Sequence, residues 1–205
     1  MDVESWDTRY AATDLVWSAA PNQFVADGLA DLPPGRALDL AAGEGRNAIW
    51  LAGRGWDVTA LDFSKVALDK GRAVAEAQGL GDPITWLQAD ATTWRADSSY
   101  DLVVVAYLQL PPDQRRAAHR HAFAALEVGG TFFLVAHDST NLVEGTGGPQ
   151  DPMVLMEADD VLSDLGGSTF DVIRAERIAR VVESGHHGEP DRTAYDCLVR
   201  VVRTA

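Results

Sequence analysis

Apolar positions along this chain change their spacing repeatedly, and the changes predict its elements. Between Ser5 and Leu32, Trp6, Tyr10, Leu15, Trp17, Phe24, Val25 and Leu29 recur at roughly helical spacing, until Pro33-Pro34-Gly35 breaks the pattern. One or two helices therefore precede the core. A short apolar run from Ala37 to Ala41 then passes through Gly43-Glu44-Gly45 into a helical pattern from Asn47 to Arg54 that stops at Gly55. The alternation continues with a strand from Asp57 to Leu61, a helix from Lys65 to Gln78 and a strand from Ile84 to Gln88. A wholly apolar strand runs from Asp101 to Ala106. Pro111-Pro112 opens a helix through Leu126, and Gly129-Gly130 turns into a strand from Thr131 to Ala136. Five strands alternating with helical connections are the signature of a doubly wound, mostly parallel α/β sheet.

The last third breaks the rhythm. After the glycine-rich stretch from Gly145 to Pro152 comes one helix, Ala158 to Leu165. Two strand-like runs follow, Phe170 to Arg180 and Thr193 to Arg203, separated by Gly185-His186-His187-Gly188-Glu189-Pro190. That ending predicts an antiparallel hairpin. Neither an internal repeat nor a low-complexity tract interrupts the chain, so the expectation is one domain over 1–205. Its parts would be an N-terminal helical lid (1–35), a cofactor-binding core (36–137) and a C-terminal part with the hairpin (138–205).

Composition narrows the function. At 205 residues the chain buries one substantial core unaided, and 46% hydrophobic with 23% charged residues is ordinary for a globular protein. Seventeen Lys and Arg against 31 Asp and Glu give a formal charge of −14, which repels nucleic-acid phosphates and anionic lipids. A small molecule is the expected partner, with no nucleic acid, membrane or obligate protein partner. The single Cys197 lies in an apolar run and reads as a buried strand thiol. MDVESWDTRY has no signal-peptide pattern and no window is long enough to span a membrane, so a cytoplasmic location is expected.

The chemistry concentrates at the glycine turn. Gly43-x-Gly45-x-x-Ala48, between a strand and a helix, brings backbone N–H groups close to a nucleotide-like ligand. Asp39 lies near the end of the first strand, and Asp62 ends the second, where a carboxylate accepts both hydroxyls of an unmodified ribose. NAD satisfies both marks, but its pyrophosphate would meet the charge of Glu44 inside the turn. A sulfonium bearing an ammonium group is instead attracted by Asp39 and Glu44, with Arg46 available for its carboxylate. Gln88-Ala89-Asp90-Ala91-Thr92 adds a carboxylate that either accepts from an adenine amino group or caps a turn.

Taken together, the run Leu38 to Ala48, Leu61-Asp62-Phe63-Ser64, Asp90, Tyr100-Asp101-Leu102-Val103 and Gly129-Gly130-Thr131 resemble the class I S-adenosyl-L-methionine (SAM) dependent methyltransferases in order and spacing. Arg46-Asn47 and the opening Trp6-Asp7-x-Arg9-Tyr10 are similar to the small-molecule branch containing the tellurite-resistance and thiopurine methyltransferases. The resemblance implies a Rossmann-like, seven-stranded sheet with its last strand inserted antiparallel. It also implies methyl transfer from SAM, leaving S-adenosyl-L-homocysteine. Gly43 and Gly45 would contact the methionine part, Asp62 the ribose, Phe63 the adenine ring and Asp90 its amino group. With Asp39, Arg46, Ala91 and Ala106, these form the expected cofactor-binding set.

Methyl transfer is an in-line displacement that needs alignment, and a base only for an acceptor carrying a proton. The fourth strand ends at Ala106-Tyr107-Leu108-Gln109-Leu110-Pro111 without an Asn/Asp-Pro-Pro-Tyr motif, which removes support for methylation of DNA bases or protein amides by that route. Tyr107 is expected to line the acceptor pocket or its rim. His186 and His187, with Arg192 nearby, are the candidates for a proton acceptor, against the alternative of a solvated loop. His119 and His121 are two apart on a helix and cannot share a face, and His137-Asp138 reads as a strand end, so no metal is expected. The alternatives are an NAD-dependent oxidoreductase and a catalytically silent SAM-binding module.

Overall fold

The computed structural model describes residues 3–182 and 191–205. Two helices come first, α1 (Val3–Ala11) and α2 (Gln23–Leu29). Asn22 starts the second, its side-chain oxygen accepting the N–H groups of Phe24 and Val25. The alternating core follows as β1 (Arg36–Leu40), α3 (Arg46–Ala52), β2 (Asp57–Asp62), α4 (Lys65–Ala77), β3 (Ile84–Gln88), β4 (Tyr100–Ala106), α5 (Pro112–Ala124) and β5 (Leu126–His137). The last third contributes α6 (Ala158–Asp164), β6 (Phe170–Val182) and β7 (Arg192–Arg203).

All seven strands join one sheet in the order β3-β2-β1-β4-β5-β7-β6. Neighbours among the first five are parallel, and β7 pairs antiparallel with both β5 and β6. The antiparallel ending expected from the sequence is thus present, with β7 inserted between β5 and β6. Side chains alternate across the sheet. Leu102 and Val104 of β4 pack on one side with Phe24, Leu29, Leu51 and Ala75 from α2, α3 and α4. Val103 and Val105 pack on the other with Ala122, Phe123, Val161 and Leu165 from α5 and α6. Coverage on both faces is why β4 reads as an unbroken apolar run.

The start of β5 departs furthest from its expected place, while other boundaries shift by one or two residues. β5 begins at Leu126, not at Thr131, and carries Gly129-Gly130 inside it. Tyr100 pairs with Leu126 but Leu102 pairs with Thr131, so residues 127–130 bulge opposite Asp101. Gly129 takes the left-handed backbone that the bulge requires, φ 89°. The same early start of β5 ends α5 at Ala124, where the sequence pattern had continued it to Leu126. Among the described residues no helix is long and apolar enough to cross a membrane.

Candidate cofactor and acceptor site

Chain order in the sheet reverses between β1 and β4: β1 leads outward to β2, and β4 starts the other half. In an open α/β sheet a ligand crevice forms at the carboxyl ends of the strands at such a reversal. Both strands end there in left-handed backbone, Ala41 at φ 59° and Tyr107 at φ 58°. No other non-glycine residue among those described has it. Such conformations cluster where a site demands them.

The glycine turn follows β1. Gly43 and Gly45 have φ 58° and 71°, a left-handed backbone that glycine adopts without strain. The space they leave is used by the protein's own rings, a difference from the expected ligand approach. A Cβ on Gly43 would lie 2.8 Å from the Tyr10 hydroxyl, and one on Gly45 2.5 Å from the Trp86 ring. Trp86 presses equally on Gly71 of α4, tying the turn to α3 and α4.

Four acids surround this turn, each held differently. Asp62, buried at the end of β2, accepts the N–H of Gly43 on Oδ2 and that of Ser64 on Oδ1, both at 2.8 Å. Burial pushes its carboxyl upward against those bonds. Each oxygen keeps a second lone pair for a hydroxyl donor. Asp39 is buried in β1, and its Oδ2 accepts the N–H of Ala48 in the first turn of α3 at 3.0 Å. Burial raises its pKa to about 7, opposed by the Ala48 bond and the nearby Arg46. Glu44 departs from its expected role. Its carboxylate turns to the N-terminal segment, accepts the N–H groups of Val16 and Trp17 at 3.0 to 3.1 Å, and lies 3.5 Å from Lys70 Nζ. Its charge is therefore largely committed to the fold. Asp90 is exposed and accepts both the N–H and the hydroxyl of Thr92 on Oδ1, the turn-cap arrangement that was its alternative reading.

The remaining cofactor candidates lie along the same edge. Phe63 follows Asp62 and is half-buried, Ala91 follows Asp90 and is nearly buried, and Ala106 ends β4. Arg46 opens α3 with its guanidinium 5.9 Å from the Trp17 ring centre.

On the acceptor side, the Tyr107 hydroxyl donates to Asp196 Oδ2 at 3.0 Å, and Arg180 Nε donates to the same oxygen at 2.8 Å. Burial first, then the Asp196 charge, lifts the Tyr107 phenol to about 12. His186 and His187 lie outside the described residues. Cys197 is fully buried with its thiol pushed far up by that burial, as a core residue. His119 is likewise buried, facing Asp164 at 3.1 Å, while His121 points to Arg95 on the surface.

Open clefts lie elsewhere. One of about 260 Å³ runs along the outer side of α3 and touches the site only through Arg46, and one of about 320 Å³ lies between Asp138 and Arg177. The crevice itself is roofed by the N-terminal segment. Lys70 donates to the carbonyls of Tyr10 and Thr13, Asp7 bonds Ser64, and Asn47 accepts the N–H of Asn22.

Residues 37–130, which contain every one of these cofactor candidates, match the family model of the methyltransferase domain. That match spans 94 of the 205 residues, a little under half of the chain. The tRNA 5-carboxymethoxyuridine methyltransferase of Escherichia coli K12 is 29% identical over 111 residues, 53% of this chain but only 42% of that protein. Among solved structures, TehB from Haemophilus influenzae superposes with a TM-score of 0.72 at 18% identity, covering 98% of this chain and 67% of that one. NodS, an N-methyltransferase from Bradyrhizobium japonicum solved with S-adenosylhomocysteine, also gives 0.72 at 18%, covering 99% and 98%. Those two likenesses establish the class I methyltransferase fold.

Sequence reasoning missed Asn22, Glu44 and Lys70 as the clamp on the N-terminal segment, and the grouping of His137, Arg180 and Asp196 around Tyr107. A glutamate buried in a glycine turn, followed by a lysine facing it from α4, was the one available signal for the clamp. No local pattern marks the acceptor group, because the inserted β7 assembles it from strands far apart in the chain.

Proposed function

We propose that this protein transfers a methyl group from SAM to a small-molecule acceptor, as one catalytic unit. The observation that carries this reading is Asp62, fixed by two backbone N–H groups at the carboxyl edge beside the strand-order reversal. A carboxylate so anchored is ready to accept a ribose diol without reorganising. The donor set fits SAM. In this reading Gly43, Gly45, Asp39 and Arg46 would hold its methionine part once the segment carrying Tyr10 opens, Asp62 its ribose, and Phe63, Asp90 and Ala91 its adenine. Ala106 and Tyr107 border the acceptor side. When bound, SAM supplies an electrophilic methyl on a sulfonium.

Asp39 argues against NAD. An anion seat at a helix N-terminus consists of free N–H groups, and at α3 the Ala48 N–H already bonds the Asp39 carboxylate. A pyrophosphate there would face a buried acid, whereas the cationic SAM is attracted to it. The formal charge of −14 supports a small acceptor over a polyanion, even though one relative acts on tRNA. The roof of α1 and residues 12–17 supports a lid that opens for ligand and excludes water when closed.

Calorimetric titration with SAM, S-adenosylhomocysteine and NAD tests the reading. Micromolar binding of the first two and none of NAD is expected, and binding of NAD alone overturns it. Methylation of tRNA in place of small molecules would overturn the acceptor class alone.

A further inference from the structure

Four side chains meet at the carboxyl edge beside the glycine loop: Tyr107 after β4, His137 at the end of β5, Arg180 in β6 and Asp196 in β7. His137 and Asp196 stand directly opposite in the pairing of β5 with β7, and His137 Nδ1 lies 3.3 Å from Asp196 Oδ1. The other carboxylate oxygen is occupied by Tyr107 and Arg180. Asp196 is fully buried. Burial opposes its charge, but His137 and Arg180 outweigh burial and hold the carboxyl below its ordinary range.

The His137 ring is also held on its faces. Tyr107 packs against it with ring centres 4.6 Å apart. Gly148 closes in as well, since a Cβ there would sit 2.8 Å from the ring's Cγ. The side chain keeps 18% of its surface exposed. Nδ1 and Asp196 Oδ1 are both buried without a hydrogen-bond partner, 3.3 Å apart but out of line, so a small turn of the ring joins them; a carboxylate bonded at Nδ1 then fixes the tautomer of a neutral imidazole, with the proton on Nδ1 and the lone pair on Nε2. The charged and titratable groups around it are Asp196 from β7, Arg180 from β6, Tyr107 from β4 and the following Asp138, with Arg46 of α3 within electrostatic reach of Tyr107 and Arg180.

Resting on the methyltransferase reading, we propose that His137 is the base of the reaction, oriented by Asp196, and that the acceptor is a hydroxyl of the phenol class. The acceptor oxygen forms its bond to the methyl carbon, the electrons of the breaking carbon-sulfur bond return to sulfur, and the hydroxyl proton passes to Nε2. The resulting imidazolium is balanced by Asp196, whose charge Arg180 and Tyr107 preserve. A thiol ionises in water near neutrality, and an amine sheds its proton to water before it binds and then attacks through its lone pair, so neither depends on this base. A phenol, with an ordinary pKa of about 10, does.

The test uses the full chain labelled with nitrogen-15 histidine and saturated with S-adenosylhomocysteine. Its nitrogen shifts are assigned to His137 by comparison with His137→Gln. In the neutral ring the proton is expected on Nδ1 and not on Nε2, with Asp196→Asn moving part of the population to the other tautomer. A neutral ring with its proton on Nε2 in the unsubstituted protein overturns the proposal. Phenol and thiophenol then serve as probe acceptors. His137→Gln should lower methylation of phenol about a hundredfold and leave that of thiophenol within a few-fold. Equal loss on both, or loss on neither, overturns it. If the unsubstituted protein methylates neither probe, the tautomer alone decides. Failure to bind S-adenosylhomocysteine by calorimetry, measured first, sinks the methyltransferase reading separately.

Discussion

Ala41 and Tyr107 end neighbouring parallel strands in the same left-handed backbone, φ 59° and 58°. For an L-residue that conformation costs roughly 1 to 2 kcal/mol, and here it redirects the chain on both sides of the strand-order reversal. Ala41→Gly should remove the strain while adding about 0.4 to 1 kcal/mol of unfolded-state entropy. The net result is a stability equal to or slightly above that of the unsubstituted protein. Ala41→Val places a β-branched residue in the same conformation and should destabilise by more than about 1 kcal/mol. Urea denaturation of both variants checks this, and a Val variant as stable as the Gly variant would contradict the strain.

Gly45 and Gly71 both face Trp86, but a Cβ on Gly71 would also lie 2.7 Å from the Glu44 carbonyl. Alanine at either position should destabilise by roughly 1 to 3 kcal/mol through overpacking, with added backbone strain at Gly45. Shortening the ring by Trp86→Leu should therefore recover part of the loss in Gly45→Ala and little in Gly71→Ala. A double-mutant cycle read by chemical denaturation separates the two. Equal rescue of both would mean that the carbonyl contact is unimportant.

Local features of this fold were legible in the sequence because their causes are local. The apolar runs of β1 and β4 report burial on two faces, and Gly43 and Gly45 report a turn that only glycine makes without strain. Asp62 was legible for the same reason: its partners, Gly43 and Ser64, belong to the motif that surrounds it. Glu44 was misread because the groups that bond it, Val16 and Trp17, come from a segment without regular structure. The partners of Asp196 lie on β4, β5 and β6, and only the antiparallel insertion of β7 brings Tyr107, His137 and Arg180 onto one carboxylate. A spacing argument has no access to that pairing.

Asp62→Ala removes the ribose acceptor and also the bonds to Gly43 and Ser64. Affinity for SAM should fall by roughly 1.5 to 3 kcal/mol, the size of a lost charged hydrogen bond. Thermal stability should fall as well, so calorimetry and melting must be read together. Unchanged SAM affinity in a folded Asp62→Ala protein would remove the main support for the proposed cofactor site.

Glu44 and Lys70 clamp the segment between α1 and α2 through three backbone N–H bonds and two carbonyl bonds. Glu44 is buried, so its truncation leaves those N–H groups without an acceptor. Glu44→Ala should expose residues 12–17 to limited proteolysis, and peptide mapping should show cleavage there before any cut in β1 or β4. Unaltered proteolysis would show that the segment is held by its aromatic packing alone.

Asp39 gives a pH test with a defined sign. Its carboxyl is raised from 3.8 to about 7 in the folded protein, mainly by burial. Below about pH 4 it is protonated in both the folded and unfolded chain and adds no slope. Between about 4 and 7 the folded protein holds a proton that the unfolded chain has lost, so unfolding free energy falls as pH rises through this window. Above about 7 both states are ionised and the full penalty is present, at most roughly 4 kcal/mol. Asp39→Asn keeps an oxygen for the Ala48 N–H and has no charge to bury. The stability difference between the variant and the unsubstituted protein should therefore grow in favour of the variant from pH 4 to pH 7 and then level off. Urea denaturation at three pH values checks it, and a difference that stays flat across the window would show that Asp39 is ionised throughout. A cation bound near this carboxyl should also drive out its proton, so SAM binding near pH 7 should release protons in the unsubstituted protein and fewer in Asp39→Asn. Calorimetry in two buffers of different ionisation enthalpy reads that number directly.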